Sequence, residues 1–157
     1  MKLAPAALIV LLALPAAAFE ADAILGTWST EDPDGNRDSI VEIARQDNQF
    51  VGRVVWVKYA VYPPDDSKGW AGRPVVDREN PDPALRQRSI LGIEMLRGLR
   101  FDDGEWVGGE IYAPRQGDTY RAKAWLEGSD TLKIRGYIGA PFLGRTVTWL
   151  RSGIPAD

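Results

Sequence analysis

Apolar and polar residues alternate with a period of two over most of the chain. Tyr120, Ala122, Ala124 and Leu126 fall on one face, with Arg121, Lys123 and Glu127 on the other. Such a run is a strand with one dry and one wet face. The next run repeats it, with Leu132, Ile134 and Ile138 opposite Thr131, Lys133 and Arg135, and Glu127-Gly128-Ser129-Asp130 joins the two as a hairpin. Similar runs cover residues 24–30, 37–45, 49–61, 93–101, 106–112 and 145–151. The segments between them carry residues that accept positive φ or pre-set a turn: Asp32-Pro33-Asp34-Gly35-Asn36, Asp47-Asn48, Asp102-Asp103-Gly104, Gln116-Gly117-Asp118 and Gly139-Ala140-Pro141. Sequential short strands with close turns predict an all-β, antiparallel up-and-down barrel of about eight strands, which hides its edges by closing on itself. A two-sheet sandwich is the alternative.

Two stretches break the alternation. Lys2 precedes an almost wholly apolar run from Leu3 to Leu14, followed by Pro15-Ala16-Ala17-Ala18. This is the three-part pattern of a cleavable secretion signal. The run is shorter than the ~20 residues that span a bilayer, and Pro15 breaks it. Residues 1–18 are therefore expected to be removed, leaving residues 19–157 as one barrel domain, exported to the periplasm or secreted and not membrane-spanning. Ala21-Asp22-Ala23 offers a second small-x-small site, so the mature start is Phe19 or Ile24. The second stretch, residues 62–90, is rich in proline, glycine and alternating charge. Connections of that length are functional or mobile. Within it Asp82 and Pro83 have the chemistry of a helix cap and first helical position, which predicts a helical turn or two.

Composition narrows the chemistry. The chain has no histidine and no cysteine, which removes the commonest general base near neutral pH, thiol chemistry and most zinc sites. No Gly-x-Ser-x-Gly or Ser-x-x-Lys arrangement activates a serine. The net charge of −3 is spread without basic blocks, so there is no electrostatic footprint for nucleic acid. The segment 32–38 alternates oxygen-bearing side chains, but its glycine comes too early for a calcium loop and no glutamate closes it. A second acidic cluster, Asp77, Glu79, Asn80 and Asp82, reads as a solvated, helix-capping segment, with a weak divalent-cation site as the alternative. No catalytic residue, metal site or cofactor is assigned.

Six tryptophans are more informative. Gly26-Thr27-Trp28 opens the first strand, and Arg145 and Arg151 flank the last. In calycin barrels such as lipocalins, a Gly-x-Trp at this position packs across the closed end beneath a last-strand arginine, a contact of roughly 0.5–2 kcal/mol. Either arginine fits. Trp56, Tyr59, Tyr62 and Trp70 are candidates for an apolar mouth or pocket wall, with residues 62–90 as the cover of a strand that is apolar on both faces. Arg97, between Met95 and Leu99 on the expected inward face, is a buried anion anchor or the mark of a bulge.

Five segments match, in order, a known pattern: Ile24-Leu25-Gly26-Thr27-Trp28, Gly52-Arg53-Val54-Val55-Trp56, the stretch from Asn80-Pro81-Asp82-Pro83 to Leu85-Arg86-Gln87-Arg88, Gly109-Glu110-Ile111-Tyr112, and Arg145-Thr146-Val147-Thr148-Trp149. On these the chain resembles the bacterial domain-of-unknown-function family 2147 over essentially all of the mature sequence. The resemblance implies an exported protein with a lipocalin-like barrel and carries no activity or catalytic residue. Relatives bear cysteines near the positions of Val51, Tyr137 and Gly144, and this chain does not. Three functions follow as expectations. The first is binding of an apolar or amphipathic small molecule in or at the mouth of the barrel, with Trp56, Tyr59, Tyr62, Trp70, Asn80, Asp82, Arg86 and Arg97 as ligand contacts. The second is an envelope protein-interaction module with a filled core that uses Trp70 and the 80–88 segment. The third is an enzyme working through Asp77, Asp82 and Arg86.

Overall fold

Each tight turn reverses the chain onto the strand just made, so neighbours in sequence become neighbours in the sheet. The computed structural model describes residues 20–31 and 35–155. The expected signal segment, and Asp32-Pro33-Asp34 of the first turn, lie outside the described residues. The strands are β1 (Gly26–Glu31), β2 (Arg37–Gln46), β3 (Gln49–Val57), β4 (Glu94–Asp102), β5 (Glu105–Ala113), β6 (Asp118–Glu127), β7 (Thr131–Tyr137) and β8 (Arg145–Arg151). They pair in sequence order into a closed antiparallel barrel, and β8 returns to β1 through Trp28 opposite Arg151 and Ser29 opposite Leu150. The alternative of two packed sheets is thereby set aside. Asp47 and Asp103, at the β2–β3 and β4–β5 turns, hold φ of 53° and 45°, the left-handed conformation their short side chains tolerate.

Up-and-down order puts the β2–β3, β4–β5 and β6–β7 turns at one end, together with the amino-terminal 3-10 turn Asp22–Ile24. The opposite end, the mouth, carries residues 58–93, 114–117 and 138–144. Trp28, Phe50, Leu96, Leu99, Trp106, Leu132, Ile134 and Trp149 all point inward and are at most 3% exposed. Phe50 meets Trp106 edge-on with centroids 6.4 Å apart, and the small residues Ala122 and Ala124 make room across the barrel. Packing is continuous from Ala21 and Ile24 at one end to Val57 and Ile90 toward the other. Each large apolar side chain so buried contributes about 1.5–3 kcal/mol. The barrel interior is therefore occupied by its own side chains, and two concavities, one lined by Arg97 and Glu110 and the other by Arg151 and Asp130, lie outside it.

Two boundaries differ from expectation. β3 stops at Val57 rather than running to residue 61. Lys58 still donates to the Asp38 carbonyl at 2.9 Å, but Pro63 and Pro64 lack the N–H a ladder needs, and Val61 instead bridges Pro74. Ile138, expected on the apolar face of β7, lies beyond the strand and is 72% exposed. The strand ends because Gly139, at φ 75°, turns the chain.

Candidate functional site

At the closed end the two most buried indoles need acceptors for their N–H groups, and the amino-terminal turn supplies them. Trp28 Nε1 donates to the Ile24 carbonyl at 2.9 Å and Trp106 Nε1 to the Ala21 carbonyl at 3.1 Å. The Arg151 guanidinium lies 4.1 Å from the Trp28 ring centroid. It also donates to the carbonyls of Leu25, Ala23 and Ser129 at 2.9–3.0 Å. Gly26 leaves room for it, since a Cβ there would stand 3.1 Å from Arg151 Nη1. Arg145 sits at the other end of β8, at the mouth. The two arginines look alike in sequence, and strand direction separates them.

The long connection is organised around a buried carboxylate. Asp77 is fully buried. Its Oδ1 accepts from Tyr112 Oη at 2.6 Å, and its Oδ2 from Asn80 Nδ2 at 2.7 Å and Arg88 Nε at 2.9 Å. Asn80 Nδ2 also reaches Tyr112 Oη at 3.2 Å, and its Oδ1 accepts from the Asp82 backbone N–H. Arg86 Nε donates to the Asn80 carbonyl at 2.7 Å. Asp82 caps the single 3-10 turn Pro83–Leu85 by accepting from Ala84 N at 2.9 Å. Gly117, in the β5–β6 turn, is pressed against the Glu79 backbone so closely that a Cβ would overlap its carbonyl. Burial, reinforced by the hydrogen bond to Asp77, pushes the Tyr112 hydroxyl up to about 12.

A second cluster holds the outer half of the connection. Tyr62 and Trp70 meet edge-on with centroids 5.7 Å apart, and the Arg78 guanidinium lies 4.2 Å from the Tyr62 centroid. Asp66 accepts the Trp70 backbone N–H at 3.0 Å and pairs with Arg78 at 2.9 Å. These contacts, the Trp70 amide first, lower its carboxyl below the usual range. Glu79 is lowered too, chiefly by its hydrogen bond from Lys68.

The residues expected to line one wall are thus dispersed. Tyr62 and Trp70 pack on each other, Tyr59 is 61% exposed beside Lys58, and Trp56 is half-buried opposite Ile40 on β2. Asp82 and Arg86 bond within the connection, and Asn80 bonds there and to Tyr112 on β5. Arg97 is not buried: it is exposed on the outer wall and paired with Glu110 at 2.8 Å. Its neighbour Gly98 occupies a bulge between β3 and β4, which shifts the alternation so that Leu96 and Leu99 are the fully buried pair, with Met95 half-buried against the core. Among the described residues no buried side-chain nitrogen or oxygen lacks a partner, no group of three metal-ligating side chains converges, and no helix is long and apolar enough to cross a membrane.

The feature that the alternation did not single out is the β7–β8 loop. Ile138, Phe142 and Leu143 are 72%, 79% and 70% exposed. The backbone of residues 140–144 is nonetheless held, because Arg135 donates to the carbonyls of Pro141 and Phe142 and, at 2.8 Å, to Thr146 Oγ1, and Leu143 N donates to the Ala140 carbonyl. Gly144 is pressed against the Gly136 carbonyl and the Tyr137 side chain. The sequence signal was the pair Phe142-Leu143 inside a Gly/Pro turn, where solvent-facing residues are normally polar.

Residues 26–151 match the family model described as "Uncharacterized protein conserved in bacteria (DUF2147)". Among solved structures the chain is similar to one described as "Protein HP1028 from the human pathogen Helicobacter pylori belongs to the lipocalin family", with a TM-score of 0.66, 23% identity and 83% of each chain covered. At that identity the likeness is one of fold. No curated protein matches the chain.

Proposed function

The chain belongs to the DUF2147 family of bacteria, and we propose that it is an exported binding protein that takes an apolar or amphipathic small molecule at the mouth of its barrel, against the β7–β8 loop rather than inside. The exposure of Ile138, Phe142 and Leu143 on a loop whose 140–144 backbone is held carries this reading. Large apolar side chains exposed on one short loop mark a contact surface, and Arg135 has already met part of the entropic cost of ordering that loop. Arg145, next to Gly144 and exposed, offers a charge to a polar head. The filled interior argues against a ligand enclosed by the barrel. It also supports a second reading, an envelope module that docks a protein on the same loop.

The test uses the mature chain and dodecanoate, followed by amide shifts, with the double variant Phe142→Ser and Leu143→Ser. Both side chains are exposed, so the variant keeps its fold. Saturable shifts at residues 138–145, weakened at least tenfold in the variant, are expected, since each apolar contact is worth about 1.5 kcal/mol or more. Equal binding by the variant sinks the proposal. Absence of binding, together with a protein cross-linked through residue 142 in the periplasm, moves the case to the second reading.

A further inference from the structure

The outer wall of β3 to β7 carries a concavity of about 560 Å³ that is independent of the mouth. It arises from two bulges on adjacent strands. Between Phe50 and Gly52 on β3 the partner strand advances by three residues instead of two, and between Trp106 and Gly109 on β5 an extra residue faces β6. Gly98 and Gly108 hold φ of 73° and 72° at these places, a conformation that excludes ordinary side chains. Two strands therefore bare their backbone side by side, and the neighbouring side chains form a rim.

That rim is charged and only partly neutralised. Arg97, Glu110, Arg121 and Tyr137 form a cross-strand row in register, each spaced from the next by about 4.8 Å. Glu110 is bonded to Arg97 at 2.8–2.9 Å, and Glu94 pairs with Arg53 at 2.9 Å. Arg100 and Arg121, both exposed and both lining the concavity, have no ion pair or side-chain hydrogen bond with any described residue. Glu110 stands opposite Arg121 but is bonded to Arg97, and Glu94 to Arg53, so two guanidiniums in this recess are left without an ion pair of their own on a chain of net charge −3. Guanidinium forks match the geometry of phosphate and carboxylate oxygens. The remaining lining, the Gln46 and Gln49 amides, the two glutamates and Tyr137, provides donors and acceptors for hydroxyls and a ring face.

We propose that this groove is a binding site for an anionic sugar, a polyhydroxylated ligand whose phosphate or carboxylate is held by Arg100 and Arg121. The site does not depend on the reading of the mouth.

Titration of the full mature chain at low salt with glucose 6-phosphate, glucuronate and glucose, read by amide shifts, tests it. The expected result is saturable shifts centred on Gly98 and Gly108 with at least one of the two anions. A response to glucose 6-phosphate alone identifies the phosphate source, and one to glucuronate alone the carboxylate. Arg100→Gln with Arg121→Gln, both on exposed side chains, should weaken binding at least tenfold, and added salt should weaken it in the wild type. Equal response to neutral glucose, no saturable shift with either anion, or unchanged affinity in the double variant overturns the proposal.

Discussion

The two covers of this barrel are built on opposite principles. The closed end is sealed by apolar bulk, with Trp28, Trp106 and Phe50 buried and only indole N–H groups needing acceptors. The connection at residues 58–93 leaves most of its side chains in water and is held by carboxylates: Asp77 against Tyr112, Asn80 and Arg88, and Asp66 against Arg78 and the Trp70 amide. Burial of hydrocarbon is non-directional and tolerates small shifts. A buried carboxylate is favourable only while every lone pair is met. Damage at the closed end should therefore lower the stability of the whole barrel, whereas damage to the Asp77 network should free the connection and leave the barrel standing.

The largest effect is expected from removing residues 20–23. This deletes the acceptor of the Trp106 indole, an acceptor of Arg151, the buried Ala21 side chain and the Asp22–Arg45 ion pair. A chain starting at Ile24 should be about 3 kcal/mol less stable than one starting at Glu20, most of it from the orphaned buried donor. Urea midpoints measure the difference, and equal midpoints would show that the amino-terminal turn is ornament. The same geometry bears on processing. A cut after Ala23 would discard part of the seal, so on the proposal of an exported protein the processed chain should begin at Phe19 by intact mass. A start at Ile24 would contradict this account of the closed end.

Asp77→Asn tests the other cover. It keeps the shape but removes the charge that Arg88 pairs with. Arg88 is 39% exposed and can rehydrate, so the cost should be about 2 kcal/mol, below the ~3–5 kcal/mol for a fully buried pair that loses one member. The signature is local: faster proteolysis within residues 58–93 with a barrel core that stays protected from exchange. A global loss of protection instead would mean that the connection and barrel form one cooperative unit.

How far each cover was readable from sequence follows from the range of its interactions. The barrel was legible because alternation and turn chemistry are local, as the hairpin from Thr119 to Leu132 shows. The cap by Asp82 on Pro83–Leu85 was legible for the same reason. Of the two readings of Arg97, buried anion anchor or mark of a bulge, the bulge is the one found: the extra residue at Gly98 puts Leu96 and Leu99, three apart, on the inward face and leaves Arg97 outside. The Asp77–Tyr112 bond joins positions 35 apart, on elements whose mutual placement no pattern in a single sequence reports. Ile138 was assigned to the core by its apolarity, and only the turn at Gly139 reveals that it lies outside.

The smallest effect distinguishes a neutral hydrogen bond from a charged one at the same junction. Tyr112→Phe removes the hydroxyl that donates to Asp77 and leaves the ring in place. Near neutral pH the loss should be about 1 kcal/mol, since Asp77 keeps its bonds to Asn80 and Arg88. The difference depends on pH in one direction. An unfolded tyrosine ionises near 10, but in the folded protein burial and the adjacent carboxylate hold Tyr112 protonated up to about 12. Above pH 10 the unfolded chain gains free energy by releasing a proton that the folded chain retains, so this contribution to stability is present below pH 10 and declines toward pH 12. The variant has no such proton to release. Its deficit relative to wild type should therefore shrink across pH 10–12, with Tyr120, which burial also raises, contributing equally to both chains. Parallel stability curves for the two proteins over that interval would show that burial and Asp77 do not hold Tyr112 protonated in the folded chain, and the polar account of this cover would lose its central contact.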